Sequence, residues 1–320
     1  MRQTEGTAGA RILAFGGYQP ARVVTNDELA ATVDTNDEWI RSRVGIASRR
    51  IAGPDETVAD MAVQAGGKAL AASGLSPEDI DLVIVATCTP EAQIPNTAAT
   101  VARRLGINAP GAYDMNAACA GFCYALANAN DAVRTGTAGN VLVIGAEVLT
   151  RFIDYEDRRT APLFADGAGA LVLCANAPGQ IGPFVLGSDG GAANAIRVTR
   201  ERGVLEMEGH ETFLMAVEKF SRSTVEVLEL AGLGLADVDL FVYHQANSRI
   251  LTAVAERLEL PRERVFDCIA GLGNTSAASV PIALTQAVRD GTLEPGMRVV
   301  LGAVGAGLVW GTTVLTWGEK

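Results

Sequence analysis

The chain has 320 residues, 48% of them hydrophobic and 20% charged, with a formal charge of −11 at pH 7. Such a length buries a sizeable core, and the acidic balance argues against nucleic acid as a partner, because phosphate binding needs clustered Lys and Arg. Cys88, Cys119, Cys123, Cys174 and Cys268 follow no small-domain disulfide spacing, so free thiols in a reducing compartment are expected.

The segment MRQTEGTAGARILAFGG lacks the unbroken apolar stretch of a signal peptide, and no later run reaches membrane-spanning length. A cytoplasmic protein without membrane contact is expected. In chain order, the patterning predicts a helix over 57–72, a strand over 82–86, helices over 97–105 and 121–132, and strands over 141–144 and 170–173. It then predicts a helix over 211–231, a strand over 240–243, a helix over 249–258 and a strand over 299–301. This alternation is an α/β signature.

The chain also echoes itself. GLSPEDIDLVIVATCTP from Gly74 returns as GLGLADVDLFVYHQAN from Gly232, RLGINAPGAYDMNAACAGF from Arg104 as RLELPRERVFDCIAGLGNTS from Arg257, and NVLVIGAEV from Asn140 as MRVVLGAVG from Met297. Three echoes in register predict two duplicated α/β halves, 1–175 and 176–320, divided near the turn-forming APGQIGP. Buried apolar strands in each half predict two parallel-rich sheets whose strand ends meet at a pseudo-twofold interface. Cys119, His244 and Asn274 all fall at such ends, with Cys119 and Asn274 in corresponding places after Asp114 and Asp267.

Cys119 sits where a strand and a small-residue turn feed a helix, in DMNAACAGFCYALANA. The unpaired amides and dipole of a helix N-terminus favour thiolate and offer donors to an oxyanion. An arbitrary intracellular cysteine is more often a small buried residue, and that reading is kept for the other four cysteines. His244, after the apolar strand DLFVY, suits either a cleft or a satisfied core position, and Asn274 in AGLGNTSAAS suits either an amide donor or a turn. His210 reads as a cap-region or surface group. Cys119 and Cys123 have no third ligand at useful spacing, so no metal site is expected. The Gly-rich runs DGAGA and GAVGAG lack a nucleotide fingerprint.

Taken together, DMNAACAGF, YHQAN and GLGNTSAAS resemble the Cys-His-Asn set of the β-ketoacyl-acyl carrier protein synthase III family. NDEWIRSRVGI, DRRT, FADGAGA and GAGLVWG extend the likeness over nearly the whole chain. The resemblance implies a thiolase-like fold layered α-β-α-β-α, a homodimer, no cofactor, and condensation of an acyl-CoA primer with malonyl-acyl carrier protein. It implies acyl transfer to Cys119, with His244 and Asn274 stabilising the enolate and the amides of Cys119 and Ala306 forming the oxyanion hole. Trp39, Arg43, Arg158, Gly209 and Asn247 would then hold CoA, and Ile94, Leu149, Phe164 and Leu205 would shape the acyl pocket. Arg249 would belong to the surface that receives the carrier.

Three positions depart from the family's usual residues: Ala306 for a glycine, Val304 for a phenylalanine and Leu214 for a docking lysine. Ile94, at a pocket position contributed across the dimer, leaves room for an unusual primer. The nearest alternative is a relative in specialised metabolism that primes a polyketide carrier or acylates oxygen or nitrogen. Thiolase chemistry lacks a second catalytic cysteine here, and hydroxymethylglutaryl-CoA-synthase chemistry would need a carboxylate near Cys119 that the sequence does not clearly offer. A silent acyl-CoA-binding protein is disfavoured by the intact Cys119, His244 and Asn274.

Overall fold

A computed structural model describes residues 9–175 and 181–318. Most of the expected boundary turn, together with the first eight residues, lies outside the described residues. The first part runs β1 (Ala10–Tyr18), β2 (Arg22–Thr25), α1 (Asn26–Ala30), α2 (Asp37–Val44), β3 (Ser48–Ile51), α3 (Val58–Ser73) and β4 (Leu82–Ala86). It continues with α4 (Thr97–Arg104), β5 (Gly111–Met115), α5 (Gly121–Arg134), β6 (Asn140–Val148) and β7 (Asp166–Ala175). The second part contains β8 (Ile181–Ser188), β9 (Ile196–Val198), β10 (Leu205–Met207), α6 (Gly209–Ala231) and β11 (Leu240–Tyr243). After these come α7 (Ser248–Arg257), α8 (Ser279–Arg289), β12 (Arg298–Gly305) and β13 (Val309–Thr316).

One sheet has the order β1-β7-β6-β4-β5 and the other β8-β13-β12-β11. Beside β11, Val265 bridges Phe241 in parallel, the place β5 takes beside β4. The expectation of two parallel-rich sheets needs correction, because among the described strands only β4 with β5 and β6, and β11 with β12, pair in parallel. The reason lies in the connections. Residues 306–308 are too short to carry β12 over to a parallel neighbour. The longer 149–165 stretch leaves the sheet to wall a cavity instead of crossing it as a helix.

Alternating strand residues define the layers. Ile84, Val143, Val242 and Leu301 turn inward onto α5 and α8, which form the central layer between the sheets. Val83, Leu142 and Ile144 face α3 and α4 on one outside, and Phe241, Tyr243 and Val300 face α6 and α7 on the other. The result is five layers, α-β-α-β-α. Local chemistry sets the helix ends. Thr57 and Asp60 close a capping box on α3, and Gly74 and Gly232 end α3 and α6 in the left-handed region, at φ 75° and 68°. No helix among the described residues is long and apolar enough to cross a membrane.

Candidate active site

The Cys119 position is built by a tight turn. After β5, the side-chain oxygen of Asn116 accepts from the Ala118 amide at 3.1 Å, Ala118 adopts φ 45°, and a short 3-10 turn (Ala118–Ala120) leads into α5. Cys119 lies in that turn. The end of β12 presses against it so closely that a Cβ on Gly305 would meet the Cys119 nitrogen at 2.6 Å. Gly305→Ala is therefore expected to slow acylation of Cys119 by about 10²-fold through displacement of the nucleophile. Quench-flow mass measurement checks this, and an unchanged rate would mean the turn yields freely.

The same construction recurs in the other half. Asn274 Oδ1 accepts from the Ser276 amide at 2.9 Å, Ser276 adopts φ 50°, and a 3-10 turn (Ser276–Ala278) leads into α8. Asn274 thus corresponds to Asn116, and Cys119 to Ala277, which corrects the pairing of Cys119 with Asn274 expected from the aspartates. The bond to Ser276 also orients the Asn274 amide. With Oδ1 occupied, its NH2 group is left as the donor.

His244 follows β11, with its backbone amide donating to Gly302 O at 2.8 Å, and only 1% of the residue is exposed. Burial pushes its pKa down to about 3, so the imidazole is neutral. Among the described residues no carboxylate bonds the ring, and Nδ1 is buried without a partner. We assign the proton to Nε2. Cys119, His244 and Asn274 come from three separate segments and line one cavity of about 970 Å³, together with Val304 and Ala306.

The expected thiolate is not favoured at rest. Cys119 is half-buried in the cavity wall, and that burial raises its pKa to about 11; the Ser276 hydroxyl beside it works the other way, and the Glu147 charge adds to the rise. Glu147 is the residue the sequence reading missed. It is fully buried on β6 and bonded by Thr87, Cys88, Thr89 and Ser276, so a carboxylate does stand near Cys119. Its signal was a lone acid inside the apolar run NVLVIGAEVL. Cys88, read as structural, instead lines the cavity and donates its thiol to Glu147 Oε1 at 3.3 Å.

Leu149, Phe164 and Leu205 line the cavity, as do Gly209 and Asn247. Ile94 does not; it is 88% exposed on the single chain. Trp39, Arg43 and Arg158 also lie off the cavity lining. The Arg158 guanidinium stacks 4.6 Å over the Trp39 ring and pairs with Asp34, while Arg43 is exposed on α2. Trp39 packs against the cluster containing Leu149, Phe164 and Leu205, which ties the pair to the cavity wall. Arg249 is exposed and lies 5.7 Å over the ring of Phe213, a lining residue, whereas Leu214 is 55% exposed and His210 is exposed at the start of α6.

A family model described as 3-Oxoacyl-[acyl-carrier-protein (ACP)] synthase III matches residues 113–190, and the C-terminal model of the same description matches 228–317. The chain belongs to this synthase III family. A Streptomyces coelicolor relative, beta-ketoacyl-[acyl-carrier-protein] synthase III 3, is 44% identical over 97% of this chain and 98% of its own. The crystal structure of the Aquifex aeolicus synthase III superposes with a TM-score of 0.94 at 44% identity, covering 97% of this chain and 100% of that one. The priming β-ketosynthase of the R1128 polyketide pathway reaches the same TM-score at 38% identity, with 99% of both chains covered. Synthase III membership makes this an acyl-transferring condensing enzyme with a thiolase-like fold.

Proposed function

We propose that the chain joins an acyl-CoA primer to malonyl-acyl carrier protein by decarboxylative Claisen condensation through an acyl-Cys119 intermediate. The observation that carries this reading is the convergence of one thiol and two neutral donors, from both halves of the fold, on a single cavity. In the first step Cys119 Sγ bonds to the acyl carbon and CoA leaves as its thiolate. The malonyl thioester then loses CO2. Its enolate oxygen is held by His244 Nε2–H and the Asn274 amide, and its carbon attacks the acyl group, releasing Cys119. The amides of Cys119 and Ala306 hold the tetrahedral oxyanion.

Neutral His244 suits that role, and its pH behaviour follows from the shift. Because the folded pKa of about 3 lies below the ordinary 6.5, His244 stays neutral across the working range. The condensation step on pre-acylated protein should therefore hold its rate from pH 8 to about pH 5. An acid limb near pH 6.5 that disappears in His244→Gln would contradict this. Unfolded chains protonate first, so His244 makes stability fall on acidification from 6.5 towards 3, by up to about 1.4 kcal/mol per pH unit.

Trp39 and Arg158 supply an aromatic face and a guanidinium for the CoA nucleotide, with Arg43 beside them; Gly209 and Asn247 border the pantetheine path. Leu149, Phe164 and Leu205 wall the acyl end. The exposed Ile94 fits a residue offered to a second subunit, and Arg249 on Phe213 fits a contact for an acidic carrier. Acyl-CoA serves as substrate, without a cofactor. Unpaired cysteines suit the cytoplasm. The halves 1–175 and 176–320 are read as a duplication on their matching strand orders and turns. Likeness to the R1128 priming enzyme favours a second reading, priming of a polyketide carrier. Intact-mass measurement with a panel of acyl-CoAs, then with malonyl-acyl carrier protein, tests the proposal. An adduct that malonyl-carrier cannot discharge would redirect it to an oxygen or nitrogen acceptor.

A further inference from the structure

Glu147 has no cation within ion-pair distance among the described residues, although a fully buried carboxylate is costly without compensation. Its compensation consists entirely of donors. Thr89 Oγ1 already accepts from the Val148 amide at 2.9 Å, so its proton goes to Glu147 Oε2 at 2.7 Å. Thr87 Oγ1 accepts from the Thr89 amide and donates to the same oxygen at 3.2 Å, and the Cys88 amide donates to both oxygens. On Oε1 the Cys88 thiol and the Ser276 hydroxyl converge, at 3.3 and 3.0 Å.

Ser276 is the hinge of the arrangement. Its hydroxyl donates to Glu147 and lines the cavity beside Cys119, and its backbone amide orients Asn274. One hydroxyl proton cannot serve Glu147 and a Cys119 thiolate together. While Ser276 donates to Glu147, its oxygen keeps a lone pair that can accept from the Cys119 S–H; once the thiol ionises, the donor direction must reverse. The titratable groups facing Glu147 are Cys88 and Cys119. Asp166 on the adjoining β7 is turned to Ala52 and Thr150. Ionising Cys119 beside an ionised Glu147 would set two like charges together, whereas moving the proton between them keeps the charge of the pair at one.

We propose that Glu147 is a positioning residue that takes the Cys119 proton through the Ser276 hydroxyl during acylation and returns it when the thiol is regenerated. The Cys119 proton passes to Ser276 Oγ as the Ser276 proton passes to Glu147 Oε1. Sγ bonds to the acyl carbon, the bond from that carbon to the CoA sulfur breaks, and CoA thiolate is protonated by solvent. After condensation the Cys119 thiolate leaves the acyl carbon and recovers its proton by the reverse path. On β12 the counterpart of Glu147 in the repeat is Val304, and that of Ser276 is Ala118, so the relay exists in one half only.

This inference rests on the acyl-Cys119 reading, and its test separates the two. Alkylation of Cys119 by iodoacetamide, followed by peptide mass mapping from pH 5.5 to 9.5, needs no acyl-CoA. Wild-type protein, Glu147→Gln and Ser276→Ala are compared, with Glu147→Asp as the conservative variant. The relay predicts that Glu147→Gln and Ser276→Ala lower reactivity at pH 7 by about 10²-fold and make it rise tenfold per pH unit, with Glu147→Asp partly restoring the wild-type profile. Ser276→Ala keeps the proposal falsifiable if Glu147→Gln fails to fold. An equal reduction at every pH, or no reduction, would overturn the relay. Wild-type protein that shows the alkylation profile yet accepts no acyl group would instead overturn the acyl-Cys119 reading and leave the relay standing.

Discussion

Cys119→Ala is expected to abolish covalent acylation, with condensation falling on the order of 10⁴-fold or more, since no other group supplies the nucleophile. The protein should still bind acyl-CoA, because the residues proposed to hold it lie away from the thiol. Slow decarboxylation of malonyl-carrier should also persist, since His244 and Asn274 keep their positions. Intact mass after exposure to acyl-CoA reads the first effect and released CO2 the second. Cys88 borders the same cavity, so an adduct retained in Cys119→Ala and lost in Cys88→Ala would transfer the nucleophile's role to Cys88.

His244→Ala and Asn274→Ala should show the complementary loss. Each removes one neutral donor from the enolate oxygen, and loss of one such donor costs about 10²–10³-fold. Acylation of Cys119 should change far less, because neither side chain takes the thiol proton in this scheme. The discriminating measurement is the split between adduct formation and adduct discharge. If His244→Ala slowed acylation as much as discharge, the imidazole would be acting as the base for Cys119. That outcome would contradict a ring held neutral at a pKa of about 3 with no carboxylate partner. The double variant should lose less than the product of the two single losses, because both donors act on one oxygen.

Much of this was legible in the chain. Leu82–Ala86 and Leu240–Tyr243 were found at their observed bounds, since short apolar β-rich runs between turn signals have few other uses. Helices α3, α4, α5, α6 and α7 were located to within about two residues, the usual ambiguity of helix ends. Strands β1, β8 and β13 were not picked out, while β5 and α8 were read without bounds, as the strand before the Cys119 turn and the helix that the Asn274 turn opens. The glycines in β1, β8 and β13 weaken their strand signal, and pairing with neighbouring strands settles them. The candidate site was legible as three motifs, without Glu147. Periodicity marks an acid in an apolar strand as unusual, but cannot say whether Ser276, 129 positions later, lies against it.

The sequence by itself determined the alternation of elements, the internal echo and the residue types that could do acyl chemistry, because these rest on local pattern and side-chain chemistry. Only the tertiary structure decided which strand pairs are parallel, that Asn274 answers to Asn116, and that the surroundings of Cys119 push its pKa up. Each depends on what packs alongside: a connection too short to cross a sheet, a turn repeated around Ala118 and Ser276, and cavity walls that half-bury Cys119 while setting Glu147 and Ser276 beside it.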